Sequence, residues 1–336
     1  MKRIAFRVAT PSSCFKGRPL ARICLRCYQG MMRVIFVLLA AAATFAPLRA
    51  ESYIIADNQT GRILEDSGKD RKVPVASLTK LALALVVLDW AQLRSGNLDA
   101  TATVPAEALS TTGGINPLGL QAGDELSLRD LLYAALLASD NVSAVTLADH
   151  VGRALPNPTG LDPVGNTVAN MNALARQLGM RHTLYLNPHG LDTPDGQARP
   201  HSSAADLARL TRYAYSKPGI AFYVSQPTRE IHIKRAGAVL AQQLTNTNHL
   251  LGSDGIDGVK TGRTSLAGEC IILTSERSPE VRREGDTVFT TPRRIIVVLL
   301  GSEDREGRGL SLVRRGWELY QDWASKGRPA KASNCL

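Results

Sequence analysis

The sequence predicts an α+β fold in which strands from the two ends share one sheet and the helices between them form a second lobe. Three observations predict it. "SYIIADNQTGRILEDS" (residues 52–67) alternates apolar and polar residues on either side of Asn58 to Gly61, the pattern of a two-stranded hairpin. "GECIILTSE" and "RRIIVVLLGS", late in the chain, are short β-rich runs joined by a polar connection. Between these ends the apolar spacing is helical.

The elements follow in order. Residues 77–93 are a strongly apolar helix that ends near Ser95-Gly96. "SLRDLLYAALLASDN" and "SAVTLADHVGRAL" are helical by period, and "VANMNALARQLGM" is a further helix stopped by Gly179. "SSAADLARLTRYAYS" is capped by Ser202 or Ser203. After the late strands, "GLSLVRRGWELYQDWA" closes the chain as an amphipathic helix. The domain is expected over residues 51–325, with the helical lobe at about 95–215 and a tail at 326–336. No internal repeat or low-complexity linker interrupts it, and a cleft between the lobes is the natural place for a site.

The formal net charge of +10 invites a nucleic-acid partner, but its location removes that reading. Nine of the 40 Lys and Arg lie in residues 1–50, which carry no Asp or Glu, so the body sets 31 basic against 30 acidic side chains. With aromatic residues at 5%, little stacking surface remains either. "MMRVIFVLLAAAATFAPLRA" explains the basic end: Arg33, an apolar stretch from Val34 to Phe45, and small Ala50 before Glu51 fit a secretory signal peptide cleaved after Ala50. The stretch is shorter than the ~20 residues a membrane span needs, so no stable anchor is expected after cleavage. Residues 1–30 precede this signal, which makes Met31 or Met32 a candidate true start. They also carry Cys14, Cys24 and Cys27; Cys270 and Cys335 alone remain downstream, too few and too poorly placed for a disulfide framework. From this leader the protein is expected to be exported, to a periplasmic or otherwise extracytoplasmic location.

Three short motifs carry chemistry. In "VPVASLTKLALALVVLDW", Ser77 and Lys80 stand at i and i+3, so the amine reaches the hydroxyl at a helix start whose N–H groups suit an oxyanion. Alone the pattern is weak, because serine is a common cap and Ser13 to Lys16 repeats it by chance. Ser139-Asp140-Asn141 sits at a helix junction, where a hydroxyl and an amide can point together into a cleft; an ordinary inter-helix cap reads the same. Lys260-Thr261-Gly262 lies in "GIDGVKTGRTSLAGECIILTS", where glycines bracket a strand and leave its edge free. An ammonium and a hydroxyl there suit a peptide that adds as a strand and ends in a carboxylate. A solvated lysine guarding an edge is the plainer alternative. His189, in "NPHGLD", has no second ligand at metal spacing, with His182, His201 and His249 scattered, so no metal or other cofactor is expected.

S-x-x-K, S-D-N and K-T-G in this order characterise penicillin-interacting serine enzymes. From about Ser52 to Tyr320 the chain resembles the low-molecular-mass penicillin-binding proteins of the serine D-alanyl-D-alanine carboxypeptidase family. The similarity includes the opening hairpin, "MNALARQLGMRHTLYLNPHGLD" and "TNTNHLL". The resemblance implies a β-lactamase/DD-peptidase-like fold, with a largely antiparallel five-stranded sheet flanked by helices and a helical lobe beside it. It implies Ser77 as nucleophile and Lys80 as its base, neutralised by burial and by Lys260. Ser139 relays the proton to the leaving nitrogen and Asn141 fixes Lys80 and the substrate amide. The N–H groups of Ser77 and Arg263 form the oxyanion hole. The strand Lys260, Thr261, Gly262, Arg263 and Thr264, with Arg308, binds substrate, its terminal carboxylate at Lys260, Thr261 and Arg308. The implied substrates are peptidoglycan stem peptides ending in D-Ala-D-Ala, with β-lactams as covalent inhibitors.

Two departures stand out. Many members have His where this chain has Arg263, which affects side-chain preference more than the oxyanion hole. Many also append a β-domain and a C-terminal membrane helix that are absent before Leu336, so the chain resembles the shorter branch that includes DD-endopeptidases. A serine β-lactamase would need a deacylating carboxylate between the second and third motifs; after Glu125 the next Glu is Glu230. A non-catalytic sensor of wall peptides would not need every catalytic residue type.

Overall fold

The structure, a computed structural model, describes residues 51–93, 96–217, 219–329 and 334–336. The leader and its cysteines lie outside the described residues. Strands β1 (Ser52–Asp57) and β2 (Ile63–Ser67) form the opening hairpin, whose turn is held by Thr60 donating through its N–H and Oγ1 to Asp57 Oδ2 at 2.7 and 2.6 Å. β1 also pairs with the last strand of the chain, so both ends do share one sheet.

That sheet is fully antiparallel. Its order is β2-β1-β9-β8-β7, where β7 is Ile256–Thr264, β8 Gly268–Glu284 and β9 Thr287–Ser302. The run "IIVVLL" in β9 is apolar without alternation because both faces are covered. Ile296, Val298 and Leu300 join the core beneath the central helices, and Ile295, Val297 and Leu299 the core beneath the C-terminal helix α8 (Arg305–Ser325). α8 lies flush on the sheet at Gly316, where a Cβ would stand 2.8 Å from Ile295 Cδ1 and 2.9 Å from Ile55 Cγ2.

The central helices are α1 (Lys80–Leu93), α2 (Ala106–Thr111), α3 (Leu128–Leu136), α4 (Asn141–Ala154), α5 (Pro163–Gln177), α6 (Ala204–Tyr215) and short α7 (Ile220–Val224). Their starts obey capping chemistry: Ser127, Asp140, Asp162 and Ser203 each accept a backbone N–H of the first turn. Every residue of α1 from Lys80 to Val87 is buried, so this helix is apolar on all sides because protein surrounds it. Ala76–Leu93 is long and apolar enough to cross a membrane, but it is the core helix of this fold.

Three expectations need correction. The helix does not begin as α at 77: Ala76–Thr79 is a 3-10 turn, and the α-helix starts at Lys80. The polar connection between the late strands is itself strand, paired from Glu280↔Thr291 to Glu284↔Thr287 around Gly285-Asp286. It forms a solvent-facing ribbon, so it carries no hydrophobic signal to read. The middle of the chain also holds a second antiparallel sheet, ordered β3 (Thr101–Thr103), β4 (Glu125–Ser127), β5 (Thr228–Arg235), β6 (Ala238–Thr245). Two of its strands are three residues long, and β5 and β6 bury only Ile231, Ile233 and Leu244. Their turn, Ala236-Gly237, adopts positive φ at both positions, as tight hairpins require.

Candidate active site

The 3-10 turn places Ser77 between the sheet and the central helices. Ala76 enters it with φ +49, a left-handed conformation that costs a non-glycine residue about 1 kcal/mol or more. Two glycines allow the surroundings to close on the turn. Gly190 has φ +85, and a Cβ there would stand 2.0 Å from the Ala76 carbonyl oxygen. Gly262, in β7, comes so near that a Cβ would lie 2.9 Å from the Ser77 nitrogen. The Lys-Thr-Gly strand is therefore pressed against the serine turn, with β7 at the edge of its sheet.

Lys80 follows on the first turn of α1 and is completely buried. Its Nζ lies 2.8 Å from Ser77 Oγ, 2.7 Å from Asn141 Oδ1 and 3.0 Å from the His189 carbonyl oxygen. Burial pulls its pKa down to about 7, opposed by the nearby Asp140 carboxylate. Asn141 Oδ1 and a carbonyl can only accept, so a neutral amine gives its two N–H groups to them. Its lone pair is then left for the Ser77 hydroxyl. The arrangement is a serine hydrogen-bonded to a base, with the base oriented by two further groups.

Lys260 was expected to depress Lys80. The effect runs the other way: Lys260 is itself pushed well below the usual lysine value by burial first, then by Lys80 and Arg305. Its Nζ donates to the Thr261 carbonyl at 3.0 Å, and the Thr261 and Thr247 hydroxyls are 2.7 Å apart. Thr264 Oγ1 accepts from Ala267 N at 3.0 Å and shapes the turn after β7. The Arg263 side chain is 75% exposed, 3.9 Å from Glu269.

Ser139 has φ +61 at the junction of α3 and α4, and no group among the described residues bonds its hydroxyl. Asp140 is fully buried; Oδ1 accepts Ser143 N at 2.6 Å, Oδ2 has no hydrogen-bond partner, and burial raises its pKa. Ser77, Lys80, Asn141, Lys260, Thr261 and Gly262 are thus brought together.

Arg308 is not. It donates to Glu51 Oε1 at 2.9 Å and lies over the Tyr53 ring, because it stands one turn along α8, where the start of β1 captures it. Arg305, the first residue of α8, reaches the strand instead, with Nη1 3.5 Å from the Gly262 carbonyl oxygen and a buried Nε without a partner. Its signal was the Asp304 cap, which fixes where the helix begins. His189 is also part of the site, though not as a ligand. Its Nδ1 accepts Leu191 N at 3.1 Å, which puts the ring proton on Nε2, and burial and Lys80 push its pKa down to about 3. The neutral ring packs while the carbonyl orients Lys80. The Asn-Pro-His-Gly turn that presents it, with Gly190 N donating to Asn187 Oδ1 at 2.6 Å, was readable as a turn but not as part of a site.

An antiparallel five-stranded sheet flanked by helices, with a Ser–Lys pair against its edge strand, defines a serine hydrolase of the DD-peptidase class, with the penicillin-binding and β-lactamase fold. Residues 39–282 match the model of peptidase family S11, D-alanyl-D-alanine carboxypeptidase, and the chain belongs to that family. A D-alanyl-D-alanine endopeptidase of Pseudomonas aeruginosa is 33% identical over 236 residues, 69% of each chain. D-alanyl-D-alanine carboxypeptidase DacB2 of Mycobacterium tuberculosis is 31% identical over 279 residues, 82% of this chain and 80% of the relative. Among solved structures, the Streptomyces K15 DD-transpeptidase superposes with a TM-score of 0.67 at 25% identity, covering 79% of this chain and 96% of the other.

Proposed function

We propose that the protein is an exported D-alanyl-D-alanine carboxypeptidase that trims peptidoglycan stem peptides through an acyl-enzyme on Ser77 and is acylated there by β-lactams. The observation that carries this reading is the buried Lys80 amine, 2.8 Å from Ser77 Oγ and held from its other sides by Asn141 Oδ1 at 2.7 Å and the His189 carbonyl at 3.0 Å. Ser77 Oγ attacks the carbonyl carbon of the penultimate D-alanine as Lys80 accepts the hydroxyl proton. The N–H groups of Ser77 and Arg263 hold the oxyanion. Collapse breaks the C–N bond, and the departing amine receives a proton relayed by Ser139. Water then attacks the ester, its proton passing to Lys80, and Ser77 is regenerated. Asn141 orients Lys80 and the substrate amide. Lys260, Thr261 and, in place of Arg308, Arg305 receive the terminal carboxylate, with β7 from Gly262 to Thr264 adding the peptide as a strand.

A second reading keeps the chemistry and changes the leaving group, cutting cross-links as a DD-endopeptidase. The endopeptidase name of a 33% identical relative favours it. Intact mass of the chain from residue 51 after brief benzylpenicillin treatment, beside Ser77→Ala, is the first test. A stable adduct on the native chain alone is expected; no adduct together with rapid β-lactam hydrolysis would make it a β-lactamase, and neither adduct nor hydrolysis would leave a non-catalytic module. Release of D-alanine from linear pentapeptides against cleavage of cross-linked dimers then separates the two peptidase readings.

A further inference from the structure

The second sheet ends in β6, and among the described residues no strand pairs with the outer side of β6. β5 occupies its inner side along the whole strand, from Thr228↔Thr245 to Arg235↔Ala238. The two-residue turn between them makes Arg235 and Ala238 a hydrogen-bonded pair, so by alternation Val239, Ala241 and Gln243 turn their N–H and C=O groups to the open edge. The Gln243 carbonyl accepts there from Gln242 Nε2 at 3.4 Å, a weak bond within the strand itself.

Sheet edges in stable proteins are guarded by charge, brevity or cover. The other edges of this molecule obey the rule: β2 carries Glu65 and Asp66, β3 is three residues long, and β7 carries Lys260 and Arg263 and lies against the serine turn. β6 does not. Residues 236–253 contain no Asp, Glu, Lys or Arg, while Val239 is 65% and Leu240 42% exposed. An edge this long, uncharged and apolar is a template for another strand.

The missing charge also selects the occupant. A charged peptide would find only main-chain groups to bind, whereas an identical neutral strand pairs without desolvating any charge. We propose that a second copy of the chain docks here, β6 against β6 in antiparallel fashion about a two-fold axis through Ala241, so that the second sheet of each copy continues into that of the other. Val239 then faces Gln243 of the second copy, and Ala241 faces its own equivalent. Glu230 and Lys234 stand one strand back, opposite Gln243 and Val239. The axis sets Lys234 in the row of Glu230 of the second copy, so no like charges come into line.

A contact one strand wide is smaller than a permanent interface, so dimer should replace monomer between about 1 and 100 µM. Sedimentation velocity of the purified protein over that range tests the proposal, beside Ala241→Lys and Ala241→Glu. Each variant places like charges directly across the axis and should associate at least about tenfold more weakly. Ala241 is exposed, so both variants should fold, with melting temperatures near the native one. An equimolar mixture of the two should dimerise again, because opposite charges then face each other. A native protein that stays monomeric across the range, a dimer that survives Ala241→Lys, or variants that fail to associate when mixed overturns the docking edge.

Discussion

The role proposed for Lys80 as a base depends on its being dry. In water its amine would be protonated until about pH 10.4; buried, it changes state at about 7. The sign is that of a cation disfavoured by desolvation, so penicillin acylation of Ser77 should fall away as pH drops below about 7, readable as the acidic limb of the acylation rate constant. The groups facing the amine are the Asp140 carboxylate, which attracts its proton, the neutral His189, and Lys260, whose own ammonium is disfavoured. Asp140→Asn keeps the cap on Ser143 and removes only the charge, so the acidic limb should move to lower pH while thermal stability changes little. An unmoved limb would mean that Asp140 carries no charge in the working enzyme. Asp140 shows why part of the site escaped the sequence. Its place in Ser-Asp-Asn was visible, but its burial depends on the packing of α3, α4 and α1, which no short pattern encodes. Arg305 and Arg308 make the same point: three residues apart on one helix, they are told apart by where the cap sets the helix start and by Glu51, 257 positions from Arg308.

Among the elements, the 3-10 turn carrying Ser77 is held by contacts that only glycine permits. Gly190→Ala forces a Cβ toward the Ala76 carbonyl from a left-handed backbone, so it should cost more than about 2 kcal/mol and slow penicillin acylation sharply. Denaturant titration and acylation kinetics of that variant check both halves, and a fully stable, fully active protein would contradict the packing. Strands and helices with one buried side were legible from period and caps: the opening hairpin, α4 to α6 and α8 all overlie their patterns, although α5 and α8 start at Pro163 and Arg305, before the patterns at Val168 and Gly309 begin. The second sheet and the outer ribbon were not. They bury few side chains, and a strand with two wet faces has no apolar alternation to betray it. The ribbon pairs β8 with β9 beyond a register shift between Arg277 and Glu280, at the end of β8 opposite the Gly262↔Cys270 pair beside Ser77. Replacing residues 278–291 by a two-residue turn should therefore leave acylation by benzylpenicillin unchanged, with a small loss of thermal stability from the Arg328–Glu280 pair. Lost acylation would show that the ribbon supports the site.

Over the whole molecule, the pairing of β1 with β9 joins residues about 245 positions apart, Ser52 with Leu300 and Asp57 with Ile295. Such closure was readable because both partners are strongly apolar, and two apolar strands at opposite ends of a chain have few other places to go. The location of the site was readable from three motifs far apart in sequence, whose only common ground is the seam between sheet and helices. The edge position of β7 and the closeness of Gly262 to Ser77 required the structure. The core helix, meanwhile, has a second role that its burial implies. Before α1 is packed, Lys80 is an ordinary hydrated ammonium and Ser77 an ordinary alcohol, so an unfinished chain has no reactive centre at all. Chemistry begins when solvent leaves the helix. A newly made or partly unfolded molecule would then be inert toward peptides and β-lactams alike, and the covalent label that reports activity would count, molecule by molecule, those that have completed their fold.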